Sequence, residues 1–253
     1  MCLIGLAYEV HPRYRLMVAA NRDEFRERPT APLHRWEEHP TILAGRDLRA
    51  GGTWLGVSET GRFAAITNYR DPREPRRGPS RGSLVGDFLA GQAPAAAYLA
   101  ALAARGGDYS GFNLLVLDGS GLWYYGNRGP APRRLVPGIY ALSNALLDTP
   151  WPKVVRLRDG LARHLLSSAE PDAAVLLGLL TDRWQPPAES LPDTGVPAEW
   201  ERLLASAFID GRDYGTRSST LVWLAHTQAR VRELSWPGGE QREEALRFRV
   251  GDP

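Results

Sequence analysis

Cysteine and lysine are almost absent from this sequence. Its 253 residues include a single cysteine, Cys2, and a single lysine, Lys153. One cysteine excludes an internal disulfide framework and a cysteine-rich metal site. Arginine stands in place of lysine almost throughout, and alanine, glycine and proline are abundant. That combination is typical of codon bias in a GC-rich bacterium and says little about function.

Strong net charge and long apolar runs are also lacking. The formal net charge is +2, and no basic run alternates with aromatic residues, so we expect no nucleic-acid partner. No apolar run approaches the ~20 residues that cross a bilayer, and no secretory leader pattern opens the chain. We therefore expect a cytoplasmic protein without stable membrane insertion. Its 43% hydrophobic content is typical of globular proteins, and we predict one domain over residues 1–253.

The position of the cysteine favours a chemical role. Cys2 directly follows Met1, and a cysteine side chain is small enough for a methionine aminopeptidase to remove Met1. One residue would then hold a thiol and a free α-amino group, with unperturbed pKa values of about 8.5 and about 8. Such a residue supplies its own nucleophile and its own base. The alternative is an ordinary small buried side chain.

The first two apolar runs predict an antiparallel hairpin. Residues 3–10 and 14–20 are joined by a proline-containing turn, and four polar residues, 21–24, follow the second run. Because arms of similar length return the chain to its starting point, we expect Asp23 to approach Cys2. A cysteine beside a carboxylate and a free amine is suited to attack on a carbonyl group.

The remaining apolar patterns predict further hairpins with helices between them. Such an order favours an α+β protein of antiparallel sheets covered by helices. Residues 26–52 are interpreted as an irregular surface excursion, and the basic segment 73–82 as a solvated loop or, alternatively, an anion-binding lip. The predicted strands are 51–57, 62–69, 112–118, 122–127, 138–144, 220–225, 229–234 and 245–250, and the predicted helices 83–105, 150–166 and 171–180.

Six short motifs, in this order, resemble the NRDE-motif family, also called the transport and Golgi organisation protein 2 family. More distantly, the pattern is similar to N-terminal-nucleophile hydrolases of the bile salt hydrolase and penicillin V acylase type. The resemblance spans nearly the whole chain. The motifs are Met1-Cys2, Asn21-Arg22-Asp23-Glu24, Gly52-Thr53-Trp54-Leu55-Gly56, Thr67-Asn68-Tyr69-Arg70, Ser143-Asn144 and Gly215-Thr216-Arg217-Ser218-Ser219-Thr220.

The resemblance implies a four-layer αββα sandwich of two antiparallel sheets with helices outside. It implies that Cys2 is the nucleophile, that Asp23 holds the α-amino group, and that Arg217 supports both. It also implies that Asn68 and Asn144 lie beside the nucleophile, with Asn68 donating to the oxyanion. We expect residues next to these positions to contact substrate: Asn21, Arg22, Trp54, Tyr69, Arg70 and Ser218.

One position departs from the hydrolase pattern. Those enzymes carry an arginine three residues before the aspartate, where this chain has Ala20. Arg22 is the nearest replacement, but strand alternation points it to the face opposite Asp23. Each asparagine alone is typical of a turn at a strand end, whereas the set with Cys2 and Asp23 favours a site.

Two functions follow from these residues. The first is hydrolysis of a C–N amide bond, or a thioester, in a small acylated substrate, with no metal and no required cofactor. The alternative is a non-catalytic carrier of haem or of lipid and acyl-coenzyme A groups, in which Cys2 or a histidine binds the haem iron. No histidine spacing indicates a metal site; the histidines are His11, His34, His39, His164 and His226.

Overall fold

A computed structural model describes residues 2–73, 78–167 and 170–248. Within these ranges the strands form two antiparallel sheets, of order β10-β1-β2-β11-β12-β13 and β3-β4-β5-β6-β7-β8-β9. The strands are β1 Cys2–Tyr8, β2 Leu16–Phe25, β3 Thr30–Arg35, β4 Ile42–Asp47, β5 Leu55–Ser58, β6 Phe63–Asn68, β7 Phe112–Asp118, β8 Gly121–Gly126, β9 Arg133–Arg134, β10 Gly138–Leu142, β11 Tyr214–Leu224, β12 Gln228–Ser235 and β13 Glu240–Arg247.

The two faces of the first sheet are buried by different layers. Alternate residues of β1 and β2, such as Ile4 and Val18, pack in a core between the two sheets. Their neighbours, such as Leu3 and Met17, pack against helices on the other side. Because side chains alternate along a strand, burial on both faces explains why β1 consists entirely of buried residues.

Helices cover the outer face of each sheet. The helices are α1 Gly82–Ala90, α2 Ala95–Ala104, α3 Pro152–Ser167, α4 Ala173–Leu180 and α5 Ala198–Leu203. α1 and α2 pack on the second sheet, and α3 and α4 pack on the first. The order is therefore helix, sheet, sheet, helix, which confirms the predicted four-layer αββα sandwich.

Two sequence predictions need correction. The segment 26–52 is not irregular, since it contains β3 and β4, two strands of the second sheet; prolines and charged residues had hidden their short apolar patterns. The predicted helix 83–105 is two helices, because Gly91 and Pro94 separate α1 from α2. Pro94 precedes α2, where the missing N–H of proline costs no helical hydrogen bond.

The C-terminal strand β13 begins before its predicted start at residue 245, and positions 249 and 250 of that prediction lie outside the described residues. Among the described helices, none combines the length and the apolar composition that crossing a bilayer requires.

Candidate functional site

The first hairpin places the cysteine in the lining of a cleft. Cys2 lies opposite Arg22 in the β1–β2 register, and only 9% of its surface is exposed. Cys2, Arg22 and Asp23 line a cleft of about 560 Å³. Asp23 follows the strand partner of Cys2 directly, so the predicted approach of the two residues is found.

Arg22 shares a face with Cys2. Its guanidinium lies 4.4 Å from the ring centroid of Trp54, donates to Thr30 Oγ1 at 3.0 Å and lies 3.8 Å from Asp47 Oδ2. Burial and the negative charge of Asp23 raise the pKa of the Cys2 thiol, whereas the positive charge of Arg22 and a hydrogen bond from the main chain of Asp23 lower it. Strand alternation points Arg22 away from Asp23, as predicted. The face to which Arg22 points is the one that also carries the Cys2 thiol.

The Asp23 side chain turns to the helix side of the sheet. Its Oδ1 accepts a 2.8 Å hydrogen bond from Thr216 Oγ1, and Tyr214 donates its hydroxyl proton to the Asp23 carbonyl at 2.9 Å. Burial raises the pKa of Asp23, and the positive charges of Lys153 and Arg22 act against that rise. A register shift in β11 between Thr216 and Ser218 accompanies this contact. The carboxyl group is therefore buried and oriented, and the positive charges of Lys153 and Arg22 favour its ionised form.

The two predicted asparagines have different positions. Asn68, the last residue of β6, lines the cleft with Cys2. Asn144 is not among the described lining residues; its Nδ2 donates to the Asn68 carbonyl at 2.9 Å. Ser143 connects them to the nucleophile, since its Oγ donates to the Cys2 carbonyl at 3.1 Å and lies 3.2 Å from Asn144 Oδ1. Asn144 therefore holds the cleft residue Asn68 in place.

Arg217 requires a correction. Its Nη1 donates to the main-chain carbonyls of residues 25, 26 and 28, at 3.0, 2.9 and 3.1 Å. Arg217 occupies the register shift of β11, which directs the side chain to the end of β2. It therefore fixes the turn after β2 and does not support Cys2 and Asp23 directly.

Asn21 is also a structural residue. Its Nδ2 donates to the carbonyls of Leu180 and Ala207, at 2.7 and 2.8 Å. Its Oδ1 accepts from Ser219 Oγ at 2.7 Å. These bonds join β2 to α4, to β11 and to the chain before β11, on the face away from the cleft. The predicted substrate contact is corrected accordingly.

Three other predicted substrate residues lie outside the described cleft lining: Tyr69, Arg70 and Ser218. Arg70 is buried, and its Nη1 donates to Glu201 Oε2 at 2.7 Å. Ser218 pairs with Arg22 across β11 and β2. Arg70 therefore ties α5 to the segment that follows β6, and Ser218 lies beside Arg22 on the neighbouring strand. Trp54, by contrast, does line the cleft.

The cleft has aromatic walls that the sequence analysis did not assign. Tyr214 makes edge-to-face contacts with Phe25 and Trp200, at centroid distances of 5.1 and 5.8 Å. All three line the cleft, as does Trp54, which the sequence analysis had assigned. These contacts join residues distant in the sequence, so local patterns carried no signal for them.

Part of the predicted basic loop lines the cleft. Positions 78–82 line the cleft, and Arg81 donates to the Gly111 carbonyl at 2.8 Å. Positions 74–77 lie outside the described residues. Anion binding by this loop stays a prediction.

The chain is similar in sequence to a known protein family. The sequence model of the family described as "Transport and Golgi organisation 2" matches residues 1–234. The chain is 38% identical over 242 residues to the Transport and Golgi organization protein 2 homolog of Bos taurus, covering 88% of each protein. It is 36% identical over 242 residues to the Homo sapiens homolog, again covering 88% of each. Identity to the Drosophila melanogaster protein is 26% over 253 residues, covering 88% of this chain and 87% of the relative.

Two solved structures are similar in part. One is a Caenorhabditis elegans N-acylethanolamine-hydrolyzing acid amidase ortholog, with a TM-score of 0.48, 11% identity, and coverage of 88% of this chain and 92% of that one. The other is a mutant conjugated bile acid hydrolase from Clostridium perfringens, with a TM-score of 0.48, 8% identity, and coverage of 98% and 97%.

Proposed function

This chain belongs to the Transport and Golgi organisation 2 family, and we propose that it is an N-terminal cysteine amidohydrolase. Its reaction would be hydrolysis of a C–N amide bond, or of a thioester, in a small acylated substrate. The observation that carries the proposal is Cys2 in the lining of a cleft of about 560 Å³, with Asp23 directly after its strand partner. The proposal requires removal of Met1, which frees the α-amino group of Cys2.

Proton transfer within residue 2 begins the reaction. The Asp23 carboxylate holds the α-amino group, which takes the thiol proton directly or through water. The thiolate then attacks the substrate carbonyl and forms a tetrahedral oxyanion. Collapse of this intermediate breaks the C–N bond, and the α-ammonium group protonates the leaving amine. Water next attacks the Cys2 thioester and releases the carboxylic acid, which restores the thiol.

Two cleft residues stabilise the negative charges that arise in the reaction, first on the thiolate and then on the oxyanion. Arg22 favours the thiolate, because its positive charge lowers the thiol pKa against the effect of burial. Asn68 offers a neutral donor for the oxyanion, and Asn144 fixes the main chain of Asn68. One preorganised donor of this kind contributes about 10²–10³ in rate.

The aromatic part of the cleft wall supports a proposal for the substrate's acyl group. Aromatic surface is offered in the cleft that Cys2 lines, by Trp54, Phe25, Tyr214 and Trp200. Aromatic rings bury large apolar areas and have well-defined packing geometry. An extended apolar or aromatic acyl chain therefore suits this wall, with its carbonyl carbon at Cys2.

Turnover by the processed protein tests the proposal. Intact mass first establishes whether Met1 has been removed. Wild type and Cys2→Ala are then incubated with amides and thioesters of graded acyl length. We expect turnover by wild type alone, with a transient acyl adduct on Cys2. Absence of turnover by processed protein across the panel, together with a Soret shift in a haem titration, would instead support the carrier alternative.

A further inference from the structure

The only lysine of the chain is buried near the proposed nucleophile. Lys153 is the second residue of α3 and is 4% exposed. Its Nζ donates to the Leu204 carbonyl at 2.8 Å. A buried ammonium group is costly unless an anion compensates it. One neutral carbonyl does not supply that compensation, so a neighbouring anion is needed.

The packing of α3 directs Lys153 to the sheet that carries the site. Lys153, Leu157 and Leu161 are buried at four-residue intervals, which places them on one side of the helix. Leu157 lies directly over β1, since a Cβ atom added to Gly5 would be 2.9 Å from Leu157 Cγ. The Asp23 side chain emerges on the same helix-facing side of the sheet as Asn21.

The charges of the two groups influence each other. Burial lowers the pKa of Lys153 to about 8, and the strongest opposing influence is the negative charge of Asp23. Burial raises the pKa of Asp23, and here the strongest opposing influence is the positive charge of Lys153. Each group thus favours the charged form of the other within a shared buried region.

Other charged groups surround this pair. Arg70 opposes the charged form of Lys153, whereas Cys2 and Glu201 favour it.

A smaller cavity beside Lys153 is lined by Arg156, Arg163 and Asp182, of which Arg156 and Asp182 form an ion pair at 2.6 Å. Arg70 is itself paired with Glu201. Among these anions, Asp23 therefore depends most on Lys153 for a compensating positive charge.

We propose that Lys153 is a positioning residue of the Cys2 site, whose ammonium group stabilises the ionised Asp23 carboxyl group from the helix side of the sheet. This inference rests on the proposed function, in which Asp23 must be anionic to hold the α-amino group. Leu204 keeps the ammonium group in place, and α3 carries it to the sheet. Lys153 acts through Asp23 and has no contact with substrate in this account.

A purely structural role makes a different prediction. If Lys153 only holds the Leu204 carbonyl, its removal should cost the same whether position 23 is charged or neutral. If it stabilises the carboxylate, removal should cost much less once that charge is gone. A double-mutant cycle separates the two roles, and it needs no substrate, so its outcome is independent of turnover.

The cycle uses Lys153→Met, Asp23→Asn and the double variant, compared with wild type by urea unfolding at pH 7. We expect Lys153→Met to lower the unfolding midpoint markedly in the wild-type background and little in the Asp23→Asn background. Lys153→Arg, which keeps the charge, should retain more of the midpoint than Lys153→Met. As pH falls and Asp23 takes up a proton, the loss from Lys153→Met should shrink.

Equal midpoint losses in both backgrounds, or a loss that does not change with pH, would overturn the proposal. Failure of Lys153→Met to fold is also informative. Folding of the double variant would then support the coupling, because removing the anion would have restored stability. A double variant that also fails to fold, although Asp23→Asn folds alone, would contradict it. If Asp23→Asn does not fold either, Lys153→Arg decides: its folding would support the need for a positive charge, and its failure to fold would overturn the proposal.

Discussion

Cys2 and Arg22 face each other across the first hairpin. They are register partners in β1 and β2, and both line the same cleft. The motif arginine therefore lies beside the sulfur, while the motif aspartate that follows it turns to the opposite side of the sheet. One strand thus sends a cation to the nucleophile's face and a carboxylate behind it.

Replacing Arg22 should make the thiol less reactive near neutral pH. In Arg22→Met the positive charge that lowers the thiol pKa is lost, and each unit of upward shift removes about tenfold of the thiolate. We expect alkylation of Cys2 by iodoacetamide at pH 7 to slow by about three- to tenfold, with its pH midpoint moved upward. Arg35→Met, in an exposed ion pair with Glu59, is the matched control. Identical pH profiles for Arg22→Met and wild type would refute this role.

Replacing Asn68 should impair the chemical step more than binding. Asn68→Ala removes the proposed oxyanion donor, so kcat should fall about 10²–10³-fold with KM changed little. Pre-steady-state kinetics on an activated amide would locate the loss in acylation. Asn127→Ala removes an asparagine bonded to carbonyls of the 106–110 segment and serves as the comparison. A similar fall in kcat for both variants would point to a general structural effect.

Trp200 should determine the preferred acyl length. Trp200→Ala removes part of the aromatic wall, and we expect kcat/KM for long acyl chains to fall about tenfold or more. A buried large apolar contact of about 1.5–3 kcal/mol explains this magnitude. Short acyl substrates should be affected less. Trp184→Ala, at an exposed tryptophan outside this cleft, should leave chain-length preference unchanged. A uniform loss at all chain lengths would contradict the assignment.

Glu233 should make stability depend on pH. Burial raises its pKa, although its carboxyl group accepts from Leu33 N at 2.7 Å and from Thr220 Oγ1 at 3.2 Å. A raised folded pKa contributes stability below the unfolded pKa of about 4.3, and that contribution is lost as pH rises through the folded pKa. Wild type should therefore lose stability relative to Glu233→Gln as the pH rises above about 4.

Urea unfolding of Glu233→Gln across that pH range measures the effect. Glu243→Gln, whose carboxylate is partly exposed on β13 and paired with Arg232, is the control. A stability difference between wild type and Glu233→Gln that stays constant with pH would show that Glu233 does not ionise in this range.

The first hairpin could be predicted because its information is local. Two apolar runs of similar length and a short turn fix which residues meet, so the approach of Asp23 to Cys2 followed from spacing. The alternation of strand residues also gave the face of Arg22 correctly. What the sequence analysis did not predict is that the thiol lies on that same face and not on the face of Asp23.

Non-local contacts explain the remaining errors. Arg217 lies in a register shift of β11, and Asn21 bonds to carbonyls at 180 and 207; both look like site residues in a motif and act as structural ones. Thr216 was inside a recognised motif, but its bond to Asp23 spans 193 positions. Lys153 gave no signal beyond being the only lysine.

The most direct test of the central claim is mass spectrometry of the protein during reaction with an activated acyl substrate. Processed protein lacking Met1 should gain the mass of one acyl group, and fragmentation should place it on the sulfur of Cys2. The adduct should decay as carboxylic acid appears and should be absent in Cys2→Ala. Hydrolysis that proceeds equally in Cys2→Ala, or an adduct on another residue, would contradict the account.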